Sequence, residues 1–232
     1  MNFFDVINNR RSVRRFTDTT VPDEVVQKAL DAATKAPNSS NLQPWEFYWC
    51  KSPEKKVQLA EACLFQGTAR TANHLIVAVS RIDTWERNRD LIMQKMQATE
   101  PLSKDLHNYY YKIIPSLYRQ DPFGIFALGR FLIFNIMGLF KPIVRRPISK
   151  KDLFEVVTKT TALACQNFML AITAQGYGSC PMEGFDEKRI KKILKLNSNA
   201  QVVMVIGVGA PAPGGIFGPQ FRVDPNLVIH QL

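Results

Sequence analysis

Residues 201–208, with the sequence QVVMVIGV, form the clearest strand pattern in the chain. Branched apolar side chains dominate this stretch, which is typical of a strand buried in a sheet. Two other stretches also have strand character, since aromatic residues alternate in 45–50 (WEFYWC) and 75–79 (LIVAV) is continuously apolar. A further short strand is predicted after Gly176. These strands lie far apart in the sequence, so the sheet must join distant parts of the chain.

Helical patterns fill much of the chain between the predicted strands. Helices are predicted over 2–9, 22–36, 53–64, 151–175 and 186–196. The helix at 151–175 is apolar around much of its girth, which indicates that it is buried, either within the chain or against a second subunit. Because helices and strands alternate without a regular βαβ rhythm, we predict an α+β sandwich rather than a doubly wound sheet.

The composition favours an intracellular globular protein with an anionic partner. The chain has 232 residues, of which 46% are hydrophobic, and its 30 Lys+Arg against 20 Asp+Glu give a net charge of +10. Such a charge favours phosphates, nucleotides, nucleic acid or an acidic membrane surface. The four cysteines form no CxxC pair, so neither a metal site nor a disulfide framework is predicted. The N-terminus lacks a signal-peptide pattern, and we expect a cytoplasmic chain.

For the segment 83–150 we predict a helical insertion with a basic exit. Its apolar stretch 123–140 is interrupted by Arg130 and Asn135, so we do not predict a transmembrane helix. Two uses of the segment remain open. Its aromatic residues could stack on an aromatic substrate or simply form core, and 119–151 could rest on an anionic bilayer surface.

Three short segments carry residue types suited to binding a ligand. The stretch Arg10-Arg11-Ser12-Val13-Arg14 places three guanidinium groups beside a serine, a set of donors that can neutralise a phosphate. The loop 36–45 crowds amides and hydroxyls between a helix and a strand, and the turn 181–186 includes Gly184, which lets backbone approach a ligand. Taken singly, 10–14 and 181–186 are better explained as a solvated basic turn and a helix-start turn, and a capping loop explains 36–45 as well as a binding site does.

Taken together, the segments resemble the FMN-dependent nitroreductase family. The family pattern Arg-Arg-Ser-x-Arg-x-Phe matches Arg10 to Phe16, and Pro-Ser-x-x-Asn-x-Gln-Pro-Trp matches Pro37 to Trp45. A Glu-Gly turn stands at 183–184, and the tail carries an arginine at Arg222. One departure is Asn38, where the family commonly has serine. Another is Gln220, where some members have a second phosphate-binding lysine.

The resemblance implies a three-layer α-β-α sandwich that forms an intertwined homodimer with exchanged C-terminal tails. Residues 1–232 would form one domain, with the helical insertion at about 83–150 and the partner-embracing tail at about 210–232. The resemblance also implies FMN as cofactor, with hydride passing from NAD(P)H through flavin N5 to an electron-poor acceptor such as a nitroaromatic or a quinone. Within the family, a reductive dehalogenase or another specialised flavin reaction is the alternative.

The resemblance assigns roles to individual residues without a dedicated acid or base. Arg10, Arg11 and Ser12 with Arg222 would hold the phosphate and ribityl chain. Arg14 would lie near N1 and the C2 carbonyl, where a cation stabilises the charge of reduced flavin. Residues 37–41 would reach the flavin of the other subunit, and Glu183 and Gly184 would lie near N5. The expected cofactor-binding residues are Arg10, Arg11, Ser12, Arg14, Pro37, Asn38, Ser39, Asn41, Pro181, Met182, Glu183, Gly184, Gln220 and Arg222.

The partners implied by this interpretation are a second copy of the chain and a small-molecule acceptor, aromatic in character, with no nucleic acid. The competing hypothesis is a basic binding protein for a membrane surface or nucleic acid, suggested by the net charge and the 123–151 region. That hypothesis predicts a colourless protein with strongly salt-dependent association. The visible absorption spectrum of the purified protein therefore separates the two.

Overall fold

The computed structural model describes residues 2–232, in which a four-stranded sheet is covered by helices on both faces. The strands are β1 (Trp45–Cys50), β2 (His74–Arg81), β3 (Gly178–Met182) and β4 (Ala200–Gly209). Their order across the sheet is β1-β2-β4-β3, and each neighbouring pair is antiparallel. In the register of the sheet, Val77 of β2 lies between Tyr48 of β1 and Val205 of β4. The 201–208 stretch is thus a central strand.

Helices account for most of the remaining structure. They are α1 (Phe3–Asn9), α2 (Asp23–Ala33), α3 (Pro53–Ala62), α4 (Gly67–Thr71), α5 (Trp85–Thr99), α6 (Lys104–Asn108), α7 (Ile114–Tyr118), α8 (Ile125–Phe140), α9 (Lys150–Ala174) and α10 (Glu187–Leu194). A π-helical turn, Tyr109–Ile113, joins α6 to α7. The predicted helices match α1, α2, α3, α9 and α10, with differences of a few residues at their ends.

The two faces of the sheet bury separate apolar clusters, because side chains alternate along each strand. Val77 and its neighbours on one face pack against α3 and α10, through residues such as Leu59 and Ile190. Ile76 and its neighbours on the other face pack against α2 and α9, where Phe168 is fully buried. Helix, sheet and helix form three layers, and this arrangement confirms the predicted α+β sandwich.

The turn predicted at 181–186 begins later than expected, because Pro181 and Met182 belong to β3. A proline lacks the backbone N–H that each residue of an interior strand donates to one of its two neighbouring strands. Here β3 is an edge strand in which Pro181 and Met182 pair with Ile206 and Val205 of β4 and with no second strand, so the sheet tolerates Pro181. The side chain of Met182 is buried in the core.

A third apolar cluster attaches the helices after β2 to the first turns of α9. Trp85 and Met93 of α5 pack there with Tyr110 and Tyr118, against Leu153 of α9. Two of the tyrosines in the 83–150 segment are therefore core residues, whereas Tyr111, Phe123 and Phe126 are exposed. Beyond this cluster comes α8, which contains most of the apolar stretch 123–140. Within residues 2–232, no helix has both the length and the hydrophobicity needed to cross a membrane.

Candidate functional site

The segment 10–14 leaves the end of α1 and runs alongside the edge strand β3. Ser12 forms a parallel bridge with Ser179, and the N–H of Val13 donates to the Ser179 carbonyl at 3.1 Å. Val13 is buried, which fixes the direction of its side chain into the core. Its neighbours Ser12 and Arg14 are only partly buried or exposed. The bridge to β3 thus holds the arginine segment at the surface in a defined orientation.

The C-terminal segment closes over the same stretch from the other side. The N–H of Arg14 donates to the Gly215 carbonyl at 2.7 Å, and the N–H of Ala212 donates to the Arg15 carbonyl at 3.1 Å. A Cβ atom on Gly215 would lie 2.4 Å from the Arg15 carbonyl oxygen, so only glycine permits this approach. Residues 10–15 are therefore fastened to β3 on one side and to 212–215 on the other.

Between these two segments lies a cavity of about 310 Å³, which we call the arginine cavity. Its lining residues are Arg10, Arg11, Ser12, Arg14, Phe217, Pro219, Gln220, Phe221 and Arg222. Six of the fourteen residues expected from the sequence to bind cofactor thus meet in one place, although more than 200 positions separate the two segments. The three tail residues Phe217, Pro219 and Phe221 were not among the residues singled out from the sequence.

The arginine cavity concentrates positive charge without an acidic neutralising group. No ion pair involving its four arginines is found within residues 2–232. Two of them donate to backbone carbonyls, Arg11 Nη2 to Gly218 at 2.6 Å and Arg222 Nη1 to Phe221 at 2.6 Å. The guanidinium of Arg14 lies 5.5 Å from the centre of the Phe217 ring. Because like charges repel, the cluster is best stabilised by a bound anion that accepts several hydrogen bonds.

The predicted residues of the 36–45 loop lie outside the arginine cavity. The carboxamide of Asn38 closes the loop on itself, since its Oδ1 accepts from the Gln43 N–H at 2.8 Å. Ser39 to Asn41 form a 3₁₀ turn in which Asn41 has a φ of 52°. Asn41 lines a different cavity of about 800 Å³, together with Trp45. Pro37, Asn38 and Ser39 line neither cavity.

Tyrosines from the 83–150 segment support this loop, and the sequence alone did not reveal that link. The hydroxyls of Ser40 and Tyr109 are 2.7 Å apart, and the Tyr110 hydroxyl donates to the Ser40 carbonyl at 2.9 Å. Ser40 has a φ of 57°, an unfavourable backbone conformation for a residue with a side chain. The two tyrosines help to hold it there. Helical spacing identified the tyrosines as candidates for core or substrate contact but gave no partner for them.

The predicted turn residues Glu183 and Gly184 follow β3 and are exposed. The Gly184 carbonyl accepts from Gln66 Nε2 at 2.6 Å, and the same nitrogen donates to the Cys63 carbonyl at 3.1 Å. Gln66 precedes α4 and was not among the residues expected from the sequence. The side chain of Gln66 fixes the position of the turn relative to the helical layer. It binds the carbonyl of Gly184, so the N–H of Gly184 takes no part in this contact.

Ser179 is the other residue near the arginine segment that sequence patterns did not identify. It is 1% exposed, and its hydroxyl is buried with no hydrogen-bond partner in the described part of the chain. A buried hydroxyl without a partner costs stability. The backbone of Ser179 pairs with that of Ser12, which lines the arginine cavity.

Comparisons with known proteins extend across the whole chain. A family model described as the nitroreductase family matches residues 7–210. Protein DrgA from Synechocystis sp. is 27% identical over 92% of this chain and 88% of that protein. An NADH dehydrogenase from Thermus thermophilus is 25% identical over 95% of this chain and 91% of that protein. A protein from Exiguobacterium sibiricum, solved in complex with FMN, has a TM-score of 0.71 at 21% identity, covering 100% of this chain and 98% of that one.

Proposed function

This chain belongs to the nitroreductase family, and on that basis we propose that it is an FMN-dependent oxidoreductase. It takes electrons from NAD(P)H and passes them to a small electron-poor acceptor, such as a nitroaromatic or a quinone. The observation that carries the proposal is the arginine cavity, which gathers four guanidinium groups and a serine without a carboxylate. The Thermus thermophilus relative named as an NADH dehydrogenase and the FMN complex from Exiguobacterium sibiricum support the donor and the cofactor.

The donor set of the arginine cavity suits the phosphate end of FMN. Arg10, Arg11 and Arg222 offer forked N–H donors to a dianion, and the hydroxyl of Ser12 adds one donor. Gln220 offers an amide to the same cavity, which suits a ribityl hydroxyl. When bound, FMN would supply the two-electron redox chemistry, which no side chain of this chain provides.

Arg14 and the turn at Gly184 are proposed to act at the ring end of the cofactor. Arg14 is exposed and lies beside Phe217, so its charge can face a planar group next to that ring. A cation in that position stabilises negative charge on a reduced heterocycle and so favours electron uptake. The backbone of Gly184, held in place by Gln66, would present an N–H donor to the opposite edge of the ring.

We propose that the active unit is a homodimer with exchanged tails. After Pro211 the tail exposes a series of large apolar side chains that have no cover in the single chain. They are Phe217, Phe221, Val223, Leu227, Val228 and Ile229. A second subunit would bury them. In that arrangement residues 37–41 serve the partner's cofactor, which explains why they line no part of their own chain's arginine cavity. The four free thiols fit a cytoplasmic enzyme.

The direct test is the visible spectrum of the purified protein, followed by anaerobic reduction. We expect a yellow protein whose flavin absorbance bleaches on addition of NADH or NADPH and returns on addition of a nitroaromatic or a quinone. Absence of flavin, together with no uptake of added FMN, would overturn the proposal. Bound flavin that neither nicotinamide reduces would contradict the assigned electron donor.

A further inference from the structure

Helix α8 turns an apolar face away from the protein. Ile125, Leu128, Leu132, Ile136 and Leu139 recur at intervals of three and four residues, so they lie on one side of the helix. We call this side the outer face of α8. Its five side chains are between 51% and 81% exposed. Helices on a protein surface ordinarily direct this kind of stripe into the core.

Arg130 sets this orientation from the opposite side of the helix. It is 7% exposed, and its Nε and Nη1 donate to the carbonyls of Ser116 at 2.8 Å and Ile148 at 2.7 Å. Its Nη2 also donates to the carbonyl of Arg119. The one charged side chain of α8 thus binds the helix to the chain segments that precede and follow it. Because Arg130 faces the protein, the outer face on the opposite side of the helix points into solvent.

The surroundings of the outer face are basic. Residues 122–151 contain no acidic residue, and five exposed cations follow the helix. They are Lys141, Arg145, Arg146, Lys150 and Lys151. Arg145 Nη2 donates to the Gly138 carbonyl at 3.0 Å, which keeps this charge beside the last turn of α8. The nearby acids Asp121 and Asp152 are occupied as helix caps, and Glu155 lies 3.5 Å from Arg146 and 2.9 Å from Lys159.

We propose that the outer face of α8 docks on an anionic lipid bilayer. The apolar side chains would enter the boundary between headgroups and acyl chains, while the cations after the helix meet lipid phosphates. The helix has 16 residues and is about 24 Å long, shorter than the hydrocarbon core of about 30 Å, so it lies in the interface instead of crossing it. Nucleic acid fits less well, because a phosphate backbone gains nothing from five exposed aliphatic side chains.

The test uses the full-length, flavin-loaded protein in cosedimentation with lipid vesicles. We expect binding to phosphatidylglycerol vesicles that weakens as salt is raised, and weaker binding to phosphatidylcholine vesicles. Leu132→Glu should reduce binding to phosphatidylglycerol at least about tenfold, because it places a carboxylate in the outer face. The matched control is Val57→Glu, which adds the same charge at an exposed apolar position of α3 and should bind as the unaltered chain does.

A second variant tests the electrostatic part alone. Lys141→Gln with Lys151→Gln should weaken binding to phosphatidylglycerol by about tenfold, and Lys28→Gln with Lys35→Gln should change it little. Flavin content is measured in every variant, so loss of the cofactor site is distinguished from loss of docking. Failure of the unaltered chain to bind phosphatidylglycerol, or equal binding by L132E and V57E, would overturn the proposal. Dissociation of the dimer, or of a larger assembly, by L132E would overturn it in favour of a second copy as the occupant.

Discussion

The arginine cavity and the outer face of α8 are both basic surfaces, but the positive charges are arranged in opposite ways. In the cavity, four arginines converge on about 310 Å³ between two chain segments. At α8, the cations are spread after a projecting apolar stripe. A concave cluster concentrates its field on one small anion, whereas a convex apolar face with scattered charges suits an extended anionic surface. The net charge of +10 predicted an anionic partner, and shape distinguishes which partner each region fits.

The largest effect is expected from a substitution that removes the hydrogen bonds orienting α8. Arg130→Met leaves three backbone carbonyls without their donor, and buried acceptors that lose a charged donor are costly. We expect the free energy of unfolding to fall by about 3 kcal/mol, measured by urea denaturation, and the 119–148 region to become more sensitive to protease. Arg119→Met, at an exposed neighbour, is the control and should change neither. Equal stability of both variants would show that Arg130 does not hold the helix.

A somewhat smaller effect is expected at the phosphate end of the arginine cavity. Arg10→Ala and Arg222→Ala each remove charge-assisted hydrogen bonds, which contribute about 2 kcal/mol, so the Kd for FMN should rise about 30-fold. Fluorescence titration of the apoprotein with FMN measures it. Lys28→Ala, at an exposed cation on α2, should leave the Kd unchanged. A normal Kd in both arginine variants would show that the phosphate binds elsewhere.

A third substitution distinguishes the proposed phosphate end of the arginine cavity from the proposed ring end at Arg14. Arg14→Ala should leave the Kd for FMN within a few-fold of normal but slow reduction by NADH about tenfold, or about 1.4 kcal/mol in activation free energy. Stopped-flow bleaching of the flavin under anaerobic conditions measures the rate. If Arg14→Ala loses cofactor as completely as Arg10→Ala, the assignment of Arg14 to the ring end is wrong.

The smallest effect is expected in the pH dependence of stability, and it arises from Asp121 at the start of α8. The N–H of Phe126, with those of Ile125 and Phe123, holds the pKa of the Asp121 carboxyl below its ordinary value. A carboxyl with a depressed folded-state pKa stabilises the fold above its unfolded pKa of about 3.9, and that contribution is lost as pH falls through the folded value. In Asp121→Asn, the free energy of unfolding should therefore fall slightly less steeply than in the unaltered chain as pH is lowered below about 4. Asp18→Asn, at an exposed acid in another loop, is the control.

The sequence located most helices and strands correctly, but it did not predict which way the side chains of an element point. The alternation in 45–50 located β1 correctly, because a half-buried strand imposes a period of two on its own residues. The outward direction of the α8 stripe was not predictable, since it depends on carbonyls of Ser116, Arg119 and Ile148 that only tertiary packing brings to Arg130. For the same reason the burial of Met182 and the support of Ser40 by two tyrosines were not foreseen.

The way residues 10–15 are fastened also determines when the arginine cavity can form during synthesis. The arginine segment leaves the ribosome before its partners Ser179 and Gly215 and the cavity residue Arg222, which lie far along the chain. Contacts between such distant positions form late in folding. A nascent chain therefore has an incomplete arginine cavity until Arg222 has been added, and any chain cut short before 222 would lack one wall of it. Binding of an anion in the arginine cavity would therefore show that the chain has been made at least as far as Arg222.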